Sequence, residues 1–232
     1  MLPRILIAFI VCLLMLNAHS QQVVNVDKFE GSAMNFFKAV GGEPISNTKF
    51  VRVVEGSPYY FDNWMKGSVQ IGDKEYKPLL LRLNVLETTL EFKDQKGEMM
   101  ICTEPVKRVV LVDTPSGVSN TFIHSSFLPP LAEVKNSWLL ELANGKASLY
   151  KLTKKLINEV RPYGSATNEQ HILPSYSYYL LQNNTLTRVK KTSDIIDLLP
   201  DKKSELQDFA KSNKLSNKWD DMTKLVFYYN TL

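Results

Sequence analysis

Residues 138–142 and 147–152, two short runs rich in leucine, tryptophan and tyrosine, flank the dipeptide Asn144-Gly145. That pair favours positive φ at both central positions of a type I′ turn, whose twist matches two antiparallel strands. The arrangement recurs along the chain. Residues 68–71 and 75–83 flank Gly72-Asp73, residues 176–182 and 185–190 flank Asn183-Asn184, and residues 88–92 and 98–102 flank a longer loop closed by Gly97. Residues 106–112 read as a further strand, ended by Asp113-Thr114-Pro115-Ser116-Gly117, and a polar, turn-rich stretch covers 162–170. Consecutive hairpins join antiparallel strands by the shortest connections, so a meander is expected rather than a parallel sheet. The 113–117 cluster marks the boundary between a first β segment, 49–113, and a second, 114–191, which form one sheet or two.

After residue 191 the apolar period lengthens from two to about 3.6. Ser193 fits the N-cap of a short helix that Pro200 ends, and Asp201 fits the cap of a second with Leu206, Phe209 and Ala210 in one stripe. Ser216 fits the cap of a third, with Trp219, Met222, Leu225, Val226 and Tyr229 at helical spacing. The fold expected is α+β and mainly β: an antiparallel hairpin meander followed by a helical tail over 192–232 that docks on the sheet.

The first 20 residues carry an address. Arg4 precedes twelve apolar residues, 5–16, a length that suits a signal-peptide core and falls short of a membrane span. Ala18 and Ser20 fit a small-x-small cleavage site, leaving 21–48 as a lead-in to the sheet. Cleavage removes Cys12 and His19, so the exported chain keeps one cysteine, Cys102, in an apolar run that suits a buried, inert thiol. A lone thiol makes no internal disulfide, and a chain of 232 residues with 44% hydrophobic content builds its core without staples. No second apolar run approaches membrane-spanning length.

Charge narrows the partners. Residues 21–145 carry a net charge of −2 and residues 146–232 a net of +5. The basic residues Lys190, Lys191, Lys202, Lys203, Lys211, Lys214, Lys218 and Lys224 lie mostly opposite the apolar stripes, as a solvated helix face would. Without arginine clusters or interleaved aromatics, nucleic acid is not an expected partner. No CxxC, HxxxH or calcium-loop spacing occurs, and no glycine-rich loop opens a helix, so neither metal nor cofactor is expected. Glu87, Glu91, Glu133 and Glu141 lie near strands, where alternation turns most of them to solvent. His124 and His171 are the only imidazoles of the exported chain; either becomes a general base only if Ser125, Ser126 or Ser175 meets it in space, and no GxSxG pattern marks such a serine. Two aromatic groups suit a stacking surface for a sugar or a partner: Tyr59, Tyr60 and Trp64 in a turn-rich segment, and Tyr176 and Tyr178, two apart on one strand face.

Gly56-Ser57-Pro58-Tyr59-Tyr60, Trp64 to Val69 and Leu81-Arg82-Leu83-Asn84 resemble a group of exported Bacteroidetes proteins in which a GSPYL segment and a W..G.V segment lead into a hairpin and an LRYN strand. Leu83 departs from that group's usual aromatic. Ser212-Asn213-Lys214-Leu215 and Tyr228-Tyr229-Asn230 resemble its helical tail. The resemblance implies an exported address and a β-then-helix order, and carries no activity. The reading is therefore a non-enzymatic accessory or binding protein of the bacterial envelope, periplasmic or associated with the outer membrane, whose partner is a protein or glycan. One alternative is a hydrolase of an envelope glycan or ester with His124 or His171 as base, marked by a histidine beside a serine in a concave pocket. The other is a peripheral membrane protein held by its basic tail.

Overall fold

The computed structural model of the chain describes residues 33–44, 51–164 and 168–232. The leader expected at 1–20 lies outside the described residues. Helix α1 (Ala33–Ala39) is followed by twelve strands of one sheet: β1 (Gly42–Pro44), β2 (Val51–Glu55), β3 (Met65–Ile71), β4 (Lys74–Asn84), β5 (Thr89–Lys93), β6 (Met99–Cys102), β7 (Arg108–Val112), β8 (Ser119–His124), β9 (Trp138–Ala143), β10 (Ser148–Val160), β11 (Asn168–Gln182) and β12 (Thr185–Val189). Helices α2 (Thr192–Leu198), α3 (Lys203–Ser212) and α4 (Trp219–Thr231) close the chain. The mainly-β α+β order read from the sequence is the order found. No helix among the described residues is long and apolar enough to cross a membrane.

The strand order is β1-β6-β5-β4-β3-β7-β8-β9-β10-β11-β12, with β2 beside β11. The meander therefore holds over β3–β6 and over β7–β12, but the chain doubles back between them, so that β7 pairs with β3. Residues 113–117 turn β7 into β8, which places both β segments in one sheet. All pairings are antiparallel except β2 with β11.

One cross-strand row gives the sheet its inner face: Tyr76, Val69, Val109, Phe122, Leu140, Lys151, Tyr178 and Val189, from β4 to β12. Directly paired residues share a face, so the row is one continuous stripe. All but Lys151 and Tyr178 are buried. A bulge keeps β4 in phase: Gly67 faces Leu79 but Val69 faces Tyr76, so Tyr76, Leu79, Leu81 and Leu83 all point inward. Gly67 is required there, since a Cβ would stand 2.1 Å from the Val110 carbonyl oxygen.

Helix α1 covers one end of this face, where Phe36 meets Phe92 edge-on at 5.0 Å and Tyr76 at 5.7 Å. The helical tail covers the other, packing Ile195, Leu206, Leu225 and Val226 on Leu149, Leu180 and Val189. On the outer face, Val134, Leu128 and Leu131 of the β8–β9 connection close over Ile123, Leu139, Tyr150 and Tyr179. Glu133 fastens that connection: its carbonyl accepts from Lys154 Nζ at 2.9 Å and its carboxylate from Tyr179 Oη at 3.1 Å.

Several local expectations need correction. The Asn183-Asn184 turn has positive φ at both residues, as a type I′ turn requires, but neither Asn144 nor Gly145 does. That hairpin is set by the tail instead: Asn230 Oδ1 accepts from the Ala147 N–H and Asn230 Nδ2 donates to the Ala147 carbonyl, both at 2.9 Å. A Cβ at Gly145 would stand 2.5 Å from the Asn230 side chain, so glycine serves close approach rather than a left-handed turn. None of the three expected caps is the N-cap found: α2 starts after Lys191 with Ser193 in its first turn, α3 after Lys202 with Asp201 in the 3-10 turn before it, and α4 after Lys218, which has no side-chain cap. Asp221 accepts from the Ser216 hydroxyl at 2.6 Å and from its N–H at 2.9 Å, while Lys218 N–H donates to Ser216 Oγ.

These contacts generate two predictions. Asn230→Ala leaves both main-chain groups of Ala147 without partners and should lower stability by about 1–3 kcal/mol, read by urea denaturation. The Ser216 hydrogen bonds hold the Asp221 carboxyl at about 2, so its contribution is present at neutral pH and is lost as pH falls from about 4 through about 2. Acid titration of the α4 helical signal should show this loss, and Asp221→Asn should remove that step.

Candidate functional site

Strand alternation divides the first aromatic group. Tyr59 bridges Asn84, and the Tyr60 N–H donates to the Leu83 carbonyl at 2.9 Å, so this segment extends the β3 position along β4. Tyr59 and Trp64 fall on the outer side, where the Arg82 guanidinium lies 3.6 Å from the Tyr59 ring centre and 4.5 Å from that of Trp64. Arg82 also donates twice to Glu91 Oε2, at 2.7 and 3.1 Å, and Glu91 is 3% exposed. Glu91 thus departs from the solvent-facing expectation, because the cross-strand Arg82 pairs with it. Tyr59 and Trp64 are taken up by this buried ion pair.

Tyr60 turns to the inner face, edge-on to Phe122 at 4.7 Å. Burial pushes its hydroxyl up to about 12, and the Tyr176 and Tyr178 hydroxyls add to the rise. The structure therefore brings Tyr60, Tyr176 and Tyr178 together and leaves Tyr59 and Trp64 apart from them. Lys151 stands among them as Tyr178's cross-strand partner, with its ammonium 4.3 Å from the Tyr176 ring centre and 5.7 Å from that of Trp219. Burial lowers the Lys151 pKa, and the Asp220 carboxylate opposes that shift. Thr153 lies beside the Tyr60 hydroxyl, outside good hydrogen-bond geometry, and its own Oγ1 is buried without a partner. Tyr176 is 51% exposed and Trp219 43%, so this aromatic window opens to solvent between the covers formed by α1 and the tail. Lys151 was overlooked as a site residue, although it stands in the inward phase of Leu149 and Thr153.

The histidines lie in unlike settings. His171 Nδ1 contacts Glu55 at 2.9 Å, joining β11 to β2, and among the described residues no serine hydrogen-bonds to it. His124 ends β8, and its Nδ1 lies 2.7 Å from Ser126 Oγ in a cleft of about 620 Å³. Burial lowers the His124 pKa, and the nearby Asn136 amide, whose oxygen favours the protonated ring, opposes that fall. The imidazole is thus favoured by burial in its neutral form. It also accepts the Ser126 N–H at 3.4 Å, capping a single 3-10 turn, and meets the Trp138 ring edge-on at 4.9 Å.

Cys102 is half-buried, and burial pushes its thiol up to about 11, far from a reactive thiolate. No three His, Cys, Asp or Glu side chains converge as a metal set among the described residues. In the tail, Lys202, Lys203 and Lys224 pair with Glu205, Asp197 and Asp221, which leaves less of its positive face for an anionic surface. No family model, curated protein or solved structure matches this chain.

Breaking the Arg82–Glu91 pair from one side strands a buried carboxylate. Arg82→Ala should lower stability by about 3–5 kcal/mol and release Tyr59 and Trp64, which a red shift of tryptophan emission would report.

Proposed function

We propose that this chain is an exported accessory protein of the bacterial envelope that binds an acidic glycan at the aromatic window. The observation that carries the reading is the meeting of Tyr60, Tyr176 and Tyr178 around Lys151 and Trp219, from segments far apart in the sequence. Aromatic faces stack on the C–H faces of sugars, and a half-buried ammonium supplies a counter-charge for a carboxylate. The leader pattern over 1–20 and the resemblance to exported Bacteroidetes proteins support the address. A protein partner would meet the same exposed anchors, but it leaves the central lysine unexplained.

Calorimetric titration with uronic-acid oligosaccharides and with their neutral counterparts tests this reading. The wild type should prefer the acidic series. Lys151→Ala should erase the preference, and Tyr176→Ala should weaken binding of both by about tenfold, the equivalent of one stacking contact. Equal affinities across wild type and variants, or no binding of either series, would overturn the proposal.

A further inference from the structure

We propose that Ser126 is an activated nucleophile for ester hydrolysis, with His124 as its general base, at the junction of two clefts that sort the acyl group from the alcohol. This site is separate from the aromatic window, and it gives the hydrolase alternative a definite chemistry. Nucleophile and base lie in hydrogen-bond reach at 2.7 Å, and the base packs edge-on against the Trp138 ring at 4.9 Å. Because Nδ1 accepts from Ser126, the ring proton resides on Nε2. Both His124 and Ser126 line two clefts. The larger, about 620 Å³, is walled by Leu128, Pro130, Leu131 and Val134; the smaller, about 210 Å³, is walled by Thr88, Thr89, Thr103 and Glu104. An apolar acyl chain suits the first and a polar alcohol the second.

Two further observations point to a ligand. Trp138 Nε1 and Thr89 Oγ1, both in the smaller cleft, are buried without hydrogen-bond partners. A buried donor without an acceptor is costly, and an ester oxygen would satisfy the indole N–H. Thr88 and Asn136 both hold positive φ, 59° and 47°, and the Thr88 hydroxyl donates to the Asn136 carbonyl at 3.1 Å. For a β-branched residue that conformation is strained, and such strain gathers where a site is being shaped.

The step balances without a cofactor. Ser126 Oγ bonds to the acyl carbon as its proton passes to His124 Nδ1; the C–O bond to the alcohol breaks as that proton moves to the leaving oxygen. Water then attacks the acyl-serine, its proton passes to Nδ1, and Ser126 Oγ leaves and recovers a proton. Trp138 Nε1–H and the Lys135 ammonium, the one cation lining either cleft, are the available donors to the oxyanion. The other ionisable groups of the clefts are Glu104 and Cys102.

A fluorophosphonate probe should form an adduct on Ser126, located by peptide mass spectrometry, and Ser126→Ala should lose it while keeping the wild-type circular dichroism. By pH-stat assay, monohexanoylglycerol should be hydrolysed about tenfold or more faster than hexyl acetate, which reverses the polarity of the two halves. His124→Ala should lower that rate about 100-fold or more. Asn136 lines the larger cleft with His124, so the carboxylate of Asn136→Asp should raise the imidazole pKa and move the acid limb of the pH profile upward if His124 is the base. Adduct formation reads Ser126 alone and the calorimetric titration reads the aromatic window alone, so failure at the window is distinguishable from failure here. No adduct, an adduct at another residue, or hydrolysis surviving Ser126→Ala would overturn the assignment, and equal rates for the two esters would overturn the sorting of the clefts.

Discussion

Main-chain pairing across eight strands commits the row from Tyr76 to Val189 to a single face, and the rest of the molecule is arranged around that commitment. With a side-chain period of two, a slip of one residue anywhere in the row would turn a buried strand face to water. The bulge opposite Gly67 is therefore a phase correction: it restores Leu79, Leu81 and Leu83 to the side of Tyr76. Helix α1 and the tail belong to separate core clusters, yet each finds an apolar landing because the stripe is continuous beneath both.

Polar groups inside this frame fall into two kinds. Some are fully partnered. Glu91 accepts twice from Arg82 under two aromatic rings, and Asn230 supplies both a donor and an acceptor to one peptide unit, so each stabilises a surface that would otherwise lose a bond to water. Others are not. Among the described residues four buried side-chain atoms lack a partner, and three of them, on Thr153, Thr89 and Trp138, belong to the aromatic window or the smaller cleft. The fourth, Arg108 Nε, lies on the outer face beside Ser68 and Glu75. Incomplete hydrogen bonding thus concentrates at the two places where aromatic rings, a lysine or a histidine also gather.

The sequence carried the hairpins because their signals are local. Asn183-Asn184, Gly97 and the alternation on either side need no distant partner to be read. What escaped depends on contacts far along the chain. The short strand β1 and helix α1 lie in a lead-in whose only reason for order is the sheet edge and the face they cover. The return of β7 to β3 leaves no local mark, since a hairpin meander and a doubled-back one have the same turns. The Asn144-Gly145 turn was misread in type for the same reason: Asn230, more than eighty residues away, decides its geometry. Of the five aromatic candidates, same-strand spacing identified Tyr176 and Tyr178 as a pair, while the split between Tyr59 and Tyr60 follows from alternation in a segment that reads as a turn.

The residues that matter most to the proposed chemistry obey the alternation and break its polarity. Lys151 occupies the inward phase between Leu149 and Thr153, and His124 the inward phase two residues beyond Phe122. Their cross-strand partners, Tyr178 and Trp138, are aromatic and also inward. A lysine or histidine on a loop bears no such cost of desolvation and is free to move; on a strand it is held by pairing on both sides and cannot leave the face it is given. His124 and Trp138 sit one inward position along β8 and β9 from Phe122 and Leu140, which lead in the same row to Lys151. The two sites therefore stand on adjacent strand pairs, β8–β9 and β10–β11, and the register that builds the core is also what sets the distance between them.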